Sequence, residues 1–190
     1  MFNQIVNFLL ETVFGFFVFM LLARFYMQLL RVPFRNPLGQ FVTALTNWLV
    51  LPARRFIPGL YGMDLSSFLL AWLLEALLLF LLYLFGGGGV AGGAGAAVGL
   101  FLSLGLLELV RFSLYLLIGV IIVQAIISWI NPYAPLAPLF NALAAPFLRP
   151  FRRLVPPIGN VDLSPLFALV VAQLLLIPLD YLARSVAMLF

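Results

Sequence analysis

The chain holds 190 residues, of which 65% are apolar and 8% charged, against about 25% charged in a soluble domain. Its ten basic residues are all Arg, six acidic residues leave a formal net charge of +4, and Lys, His and Cys are absent. Those absences exclude the usual zinc, haem and iron–sulfur ligand sets, a Cys nucleophile, a Ser–His dyad, disulfides, a Walker-A lysine and a Schiff base.

A globule of this size cannot hide so much apolar surface from water, so lipid is the expected solvent. Ten Arg in such a chain report membrane topology and anionic lipid rather than nucleic acid. No enzymatic activity, cofactor or direct nucleic-acid contact is expected. The start, Met1-Phe2-Asn3-Gln4, has no basic n-region, which argues against a cleaved signal peptide.

The first apolar run, 5–30, contains Glu11 and Arg24 and is long enough to span a bilayer. A short helix over 38–51 follows, with Leu38, Phe41, Val42, Leu45 and Leu49 on one face. Next come Arg54-Arg55 and Asp64-Leu65-Ser66, and a second span over 65–85 that includes Glu75. Residues 86–99 are Gly, Ala and Val only and read as a linker. Their G-x-G-x-x-G match has no preceding strand and carries no nucleotide site. A third span, 105–130, holds Glu108 and Arg111; a short helix over 136–149 repeats the stripe with Leu136, Leu139, Phe140, Leu143 and Phe147. Pro146 is expected to end or kink that helix. The fourth span, 165–188, holds Gln173, Asp180 and Arg184.

Seven of the ten Arg lie between the first and second spans or between the third and fourth. Arg-rich loops stay cytoplasmic, so both face the cytoplasm and the termini face outward. Residues 86–104 are apolar enough to cross as well. Five spans would put the two Arg loops on opposite faces, so four is the expected number.

The chain repeats itself at an offset of 98 residues. Pro52-Ala53-Arg54-Arg55 matches Pro150-Phe151-Arg152-Arg153, and Asp64-Leu65-Ser66 matches Asp162-Leu163-Ser164. Each unit is a span, an interfacial amphipathic helix, an Arg pair, an Asp-Leu-Ser cap and a second span. Ser164 before Pro165 reads as N-cap then first helical residue, with Ser66 capping similarly. Each Asp is placed to pair with the Arg doublet upstream. Residues 1–85 and 100–190 are then two units of the same orientation. The second unit's Pro135, Pro146, Pro150, Arg152-Arg153, Pro156-Pro157, Gly159 and Asp162-Leu163-Ser164-Pro165 resemble the YggT family of small integral membrane proteins, which includes the YlmG proteins of cyanobacteria and plastids. The first unit departs with Gly59, Ser67 and Asn47-Trp48 at matching places. The resemblance implies roles in division, nucleoid distribution, membrane-complex assembly, or osmotic tolerance linked to potassium uptake.

A charge at mid-membrane costs about 2.5–3.5 kcal/mol on insertion scales. Glu11, Glu108, Arg111, Asp180 and Arg184 are expected to form one polar cluster in the outer half, with Gln173 on the face of Asp180. Arg24 is expected to reach Glu75 or to turn back to the phosphates. Glu75 and Gln173 occupy matching places in the two units. Holding helices together is one role for these groups; an ion or proton pathway is another. The chain thus reads as an all-α polytopic protein, most simply of a bacterial inner membrane. Arg35, Arg54, Arg55, Arg149, Arg152 and Arg153 form its basic rim toward anionic lipid and membrane, division or assembly proteins. The alternative is a small channel or transporter component, working as a homo-oligomer because four spans make a narrow bundle.

Overall fold

The computed structural model describes residues 2–57, 64–86, 93–154 and 162–189. Among them are seven α-helices and no strand: α1 (Phe2–Leu29), α2 (Pro37–Ala53), α3 (Leu65–Gly86), α4 (Gly93–Ile130), α5 (Ala137–Leu154), α6 (Ser164–Leu174) and α7 (Leu176–Leu189). Four segments are long and apolar enough to cross a membrane: Asn3–Leu29, Leu65–Gly86, Gly95–Ile130 and Ser164–Met188. The chain is therefore an all-α, multi-pass membrane protein with a shorter helix following its first and third spans.

The third span begins well before residue 105. Residues 93–99, expected in the linker, are the first turns of α4, whose 38 residues extend about 57 Å at 1.5 Å per residue. The apolar tract thus lengthens the third span instead of adding a fifth. Residues 87–92 lie outside the described residues, as do Pro58, Gly59, Pro156, Pro157 and Gly159. The fourth span is interrupted at Leu175, between α6 and α7. Pro178 explains the interruption: it has no N–H for the Leu174 carbonyl, and its ring crowds that same carbonyl.

Alternate spans run in opposite directions. Asn3 Nδ2 donates to the Phe85 carbonyl at one end of the α1–α3 pair (3.2 Å), and Arg24 meets Asp64 at the other. α1 and α4 run parallel, with Gly15 facing Phe112 and Val18, Leu21 and Leu22 packed with Leu109. α2 and α5 lie at one end of the bundle. Met27 and Val32, from α1 and the turn after it, pack against Leu139 and Leu143 of α5. An apolar groove of about 290 Å³ between α1 and α4 is bordered by Phe41 of α2 and Phe140 of α5.

Local chemistry sets the turn from α1 to α2. The Arg31 and Val32 amides donate to the Gln28 and Met27 carbonyls, a Schellman stop with Arg31 at φ 54°. The apolar contact that accompanies this motif is made by Met27 and Val32, both buried. Asn36 then caps α2 by accepting from the Gly39 amide (2.8 Å), with Pro37 opening the helix. A Cβ on Gly39 would lie 2.8 Å from the Phe34 Cα and carbonyl oxygen, so that position needs glycine.

The two short helices differ more than the repeat suggests. α2 carries no charge and buries Gly39, Val42, Thr46 and Val50, so its buried stripe is rotated from the expected one. Phe41, Trp48 and Leu51 face outward. α5 is amphipathic along its length and ends with Arg152 and Arg153 in its last turn. It neither ends nor breaks at Pro146; both Pro146 and Pro150 lie inside it. These prolines release the carbonyls of Ala142 and Pro146, which belong to exposed residues, where water and headgroups can satisfy them.

Gly105 lets α4 approach α3 closely at Ala76. A Cβ there would sit 3.1 Å from the Ala76 amide nitrogen and 3.2 Å from its Cα. Gly105→Val should cost about 1–3 kcal/mol by overpacking, whereas Gly119→Val, with nothing within 4 Å of its Cβ position, should be near neutral for packing. Thermal melts of the two variants in the same detergent check this; equal melting temperatures would refute the tight seam.

Candidate functional site

In the first unit a polar junction ties three helices together where hydrocarbon gives charges no solvation. Arg24, only 4% exposed, donates through Nη1 to Thr46 Oγ1 (2.7 Å) and Asn47 Oδ1 (2.9 Å) of α2. Its Nε lies 3.4 Å from Asp64 Oδ2 at the start of α3. Arg24 therefore reaches neither Glu75 nor the phosphates. Asp64 also receives Arg54, whose Nη2 is 2.6 Å from Oδ2 and whose Nε is 3.4 Å from Oδ1. Ser67 Oγ donates to the same carboxylate at 2.7 Å.

Burial alone would push the Asp64 carboxyl up. The Arg54 and Ser67 hydrogen bonds, with the charges of Arg54 and Arg24, outweigh that and hold it below its ordinary value. Asp64 also occupies the cap position expected for Ser66, because its carbonyl accepts from the Ser67 and Phe68 amides. Ser66 sits in the first turn and donates to the Ile57 carbonyl (2.9 Å), holding the chain that leaves α2.

The second unit builds a more open version. Arg152 Nε donates to Asp162 Oδ2 at 2.8 Å, across side chains 42% and 27% exposed. Asp162 Oδ1 accepts from the Ser164 amide at 2.9 Å, one residue before the N-cap, which is Leu163 and makes no side-chain cap bond; Ser164 and Pro165 open α6. Burial raises the Asp162 carboxyl, but Ser164 and Arg152 more than offset it, leaving it lowered. No Arg corresponds to Arg24. The buried polar side chain of this part of α4 is Gln124, which donates to Asn141 Oδ1 of α5 (3.2 Å).

In each unit the first Arg of the doublet is pinned to the Asp ten residues later. Arg55 and Arg153 are exposed, as are Arg31, Arg35 and Arg149, and none forms an ion pair among the described residues. The expected polar cluster forms only in part. Arg111 bridges Glu108 (2.6 Å) and Asp180 (2.5 Å). Glu11, Gln173 and Arg184 are exposed and stand apart from this bridge among the described residues. Glu75 is 3% exposed whereas its counterpart Gln173 is exposed, so matching places do not give matching surroundings.

Thr46, Asn47, Gln124 and Asn141 went unrecognised in the sequence. Thr46-Asn47 is a pair of adjacent polar residues in an uncharged helix, and Gln124 is a lone amide in a span. Either would have flagged a buried hydrogen bond.

The latches should differ in their contribution to stability. Asp64→Asn leaves Arg24 buried beside a neutral group and should cost about 3–5 kcal/mol, while Asp162→Asn, at a partly exposed pair, should cost about 0–1 kcal/mol. Because the Asp64 carboxyl is depressed in the fold, its stabilisation is present above the unfolded value and is lost as pH falls through the folded one. Melting temperatures measured from neutral to acid pH should fall in the wild type and change less in Asp64→Asn. Parallel pH profiles would refute the linkage.

A family model described as CCB3/YggT matches residues 3–85 and 103–183, once per unit. An uncharacterized protein of Pseudomonas aeruginosa is 35% identical over 175 residues, covering 91% of this chain and 87% of that protein. An uncharacterized Vibrio alginolyticus protein, from the proC 3′ region, is 34% identical and covers 85% of each chain. The uncharacterized protein YggT of Escherichia coli K12 is also 34% identical, covering 85% of this chain and 81% of its own. No solved structure matches. Two tandem matches covering most of the chain, with relatives aligned over most of their lengths, make it a member of the CCB3/YggT family.

Proposed function

We propose that the protein is a non-enzymatic scaffold or assembly factor of a bacterial inner membrane, whose Arg-bearing end faces the cytoplasm and engages anionic lipid and protein partners. The observation that carries this reading is the division of labour within each Arg doublet. Arg54 and Arg152 are held by Asp64 and Asp162, which fixes the backbone from which Arg55 and Arg153 project, exposed. Arg149 and Arg35 add exposed charge in the same two connecting regions. Each cation near an anionic surface contributes about 1 kcal/mol, reduced by salt. The latches make that charge a shaped surface in place of a flexible tail.

Replacing Arg35, Arg55, Arg149 and Arg153 with Gln should abolish most of the preference for spin-labelled phosphatidylglycerol over phosphatidylcholine at the protein's boundary. The melting temperature should stay close to wild type, because the latches remain. Affinity capture from native membranes should lose its co-purifying partners in the same variant. Unchanged lipid preference and unchanged partners would overturn the reading. A robust cation current from the purified protein in liposomes would favour a transport role instead.

A further inference from the structure

Of the exposed charges inside the spans, two have no counter-charge among the described residues: Glu11 of α1 and Arg184 of α7. Asp180 is the only acid of α7, and Arg111 holds it. Glu11 and Arg184 both lie within segments long and apolar enough to cross the membrane. A charge facing lipid there is costly, and an opposite charge is the usual remedy.

The two charges stand near one height. Asn3 is level with Phe85, and Gly105 with Ala76. Counting along α1 and α4, both antiparallel to α3, puts Glu11 near the height of Leu104. Asp180 shares Arg111 with Glu108. Arg184 lies one turn, about 5.4 Å, further from the Arg-bearing end than Asp180, as Leu104 does from Glu108. Arg184 and Glu11 therefore sit at about the same depth, yet they do not meet within one molecule. α1 packs on α2, α3 and α4, whereas α6 and α7 pack on α4 and α5.

The chain already contains a join of the kind that would bring them together. Its second span packs on its third: Gly105 rests against Ala76, Trp72 Nε1 donates to the Leu102 carbonyl (2.8 Å), and Phe80 meets Phe101 edge-on. That is the last span of one unit against the first span of the next. The fourth span is the last of the second unit and α1 is the first of the first unit, and this pair is left unjoined. Both present apolar surface beside their charge, Phe8 and Val13 on α1, Tyr181 and Met188 on α7.

We propose that copies of this chain associate side by side in the membrane, the fourth span of one against α1 of the next, with Arg184 paired to Glu11 across the join. Copies share one orientation in the bilayer, so residues at one height in a single molecule stay at one height between neighbours. Opposite charges at matching depth then satisfy each other and set the register of two antiparallel spans. The contact uses two different surfaces, so it is heterologous, and it closes into a ring or extends according to the angle between copies. It repeats between chains the join that the two units make within one. This inference does not depend on the lipid-binding role.

Because the chain has no Cys, disulfide trapping in phosphatidylcholine vesicles tests it. Phe8→Cys and Met188→Cys, which the same count puts near one height, are placed in separately tagged copies and oxidised together. Mixed pairs should cross-link, and pairs of like copies should not. Glu11→Arg or Arg184→Glu should lower the mixed product several-fold, and the two reversals together, with the charges exchanged, should restore it. Should a reversal fail to accumulate, Glu11→Gln and Arg184→Gln take its place, each again expected to lower the product several-fold. Absence of the mixed product, equal cross-linking of like copies, a yield indifferent to either charge, or no recovery in the exchanged pair would overturn the proposal.

Discussion

Everything at the Arg-bearing end depends on how one guanidinium is solvated. Arg24 lies within a span and is buried among α1, α2 and α3, where water cannot stabilise it. Asp64, Thr46 and Asn47 replace that water. Because the three partners come from α2 and from the start of α3, satisfying Arg24 fixes where α2 crosses α1 and where α3 re-enters the bundle. The same carboxylate then holds Arg54, which aims the rest of the doublet. A breach at Asp64 would strand a buried cation and release the turn at once.

The two copies have divided this arrangement unequally. In the second unit Gln124 stands where a buried cation would be, bonded to Asn141, and Asp162 answers to Arg152 alone. With no intramembrane cation to neutralise, Asp162 is free to sit nearer the surface. The first unit thus couples its latch to the bundle interior, and the second keeps its latch close to solvent. Sharing a family model did not require the copies to share an electrostatic design.

Spans, short helices and repeat were legible because each rests on a one-dimensional signal: apolar run length, 3.6-residue periodicity, or recurrence at 98 residues. Asp64 and Asp162 were legible as Arg partners because the distances involved are short in sequence. What was hidden depended on rotation about helix axes. Arg24 was free in the sequence to turn toward Glu75 or the phosphates, and only the crossing of α2 brings Thr46 and Asn47 within reach of it. Arg184 follows Asp180 at the i, i+4 spacing of a helical ion pair, yet Arg111 takes that carboxylate from another helix. Pro146 does not end its helix as one of its two expected effects required, because the Ala142 carbonyl it orphans belongs to an exposed residue of α5, where the loss costs little. Pro178 received no weight and does interrupt its span.

The contrast between α2 and α5 makes the two short helices unlike as surfaces. α2 turns Phe41, Trp48 and Leu51 outward and offers no charge. α5, at the same end, carries Arg149, Arg152 and Arg153. One end of a small bundle therefore pairs a neutral apolar flank with a cationic one, an asymmetry that the duplicated pattern of the chain conceals.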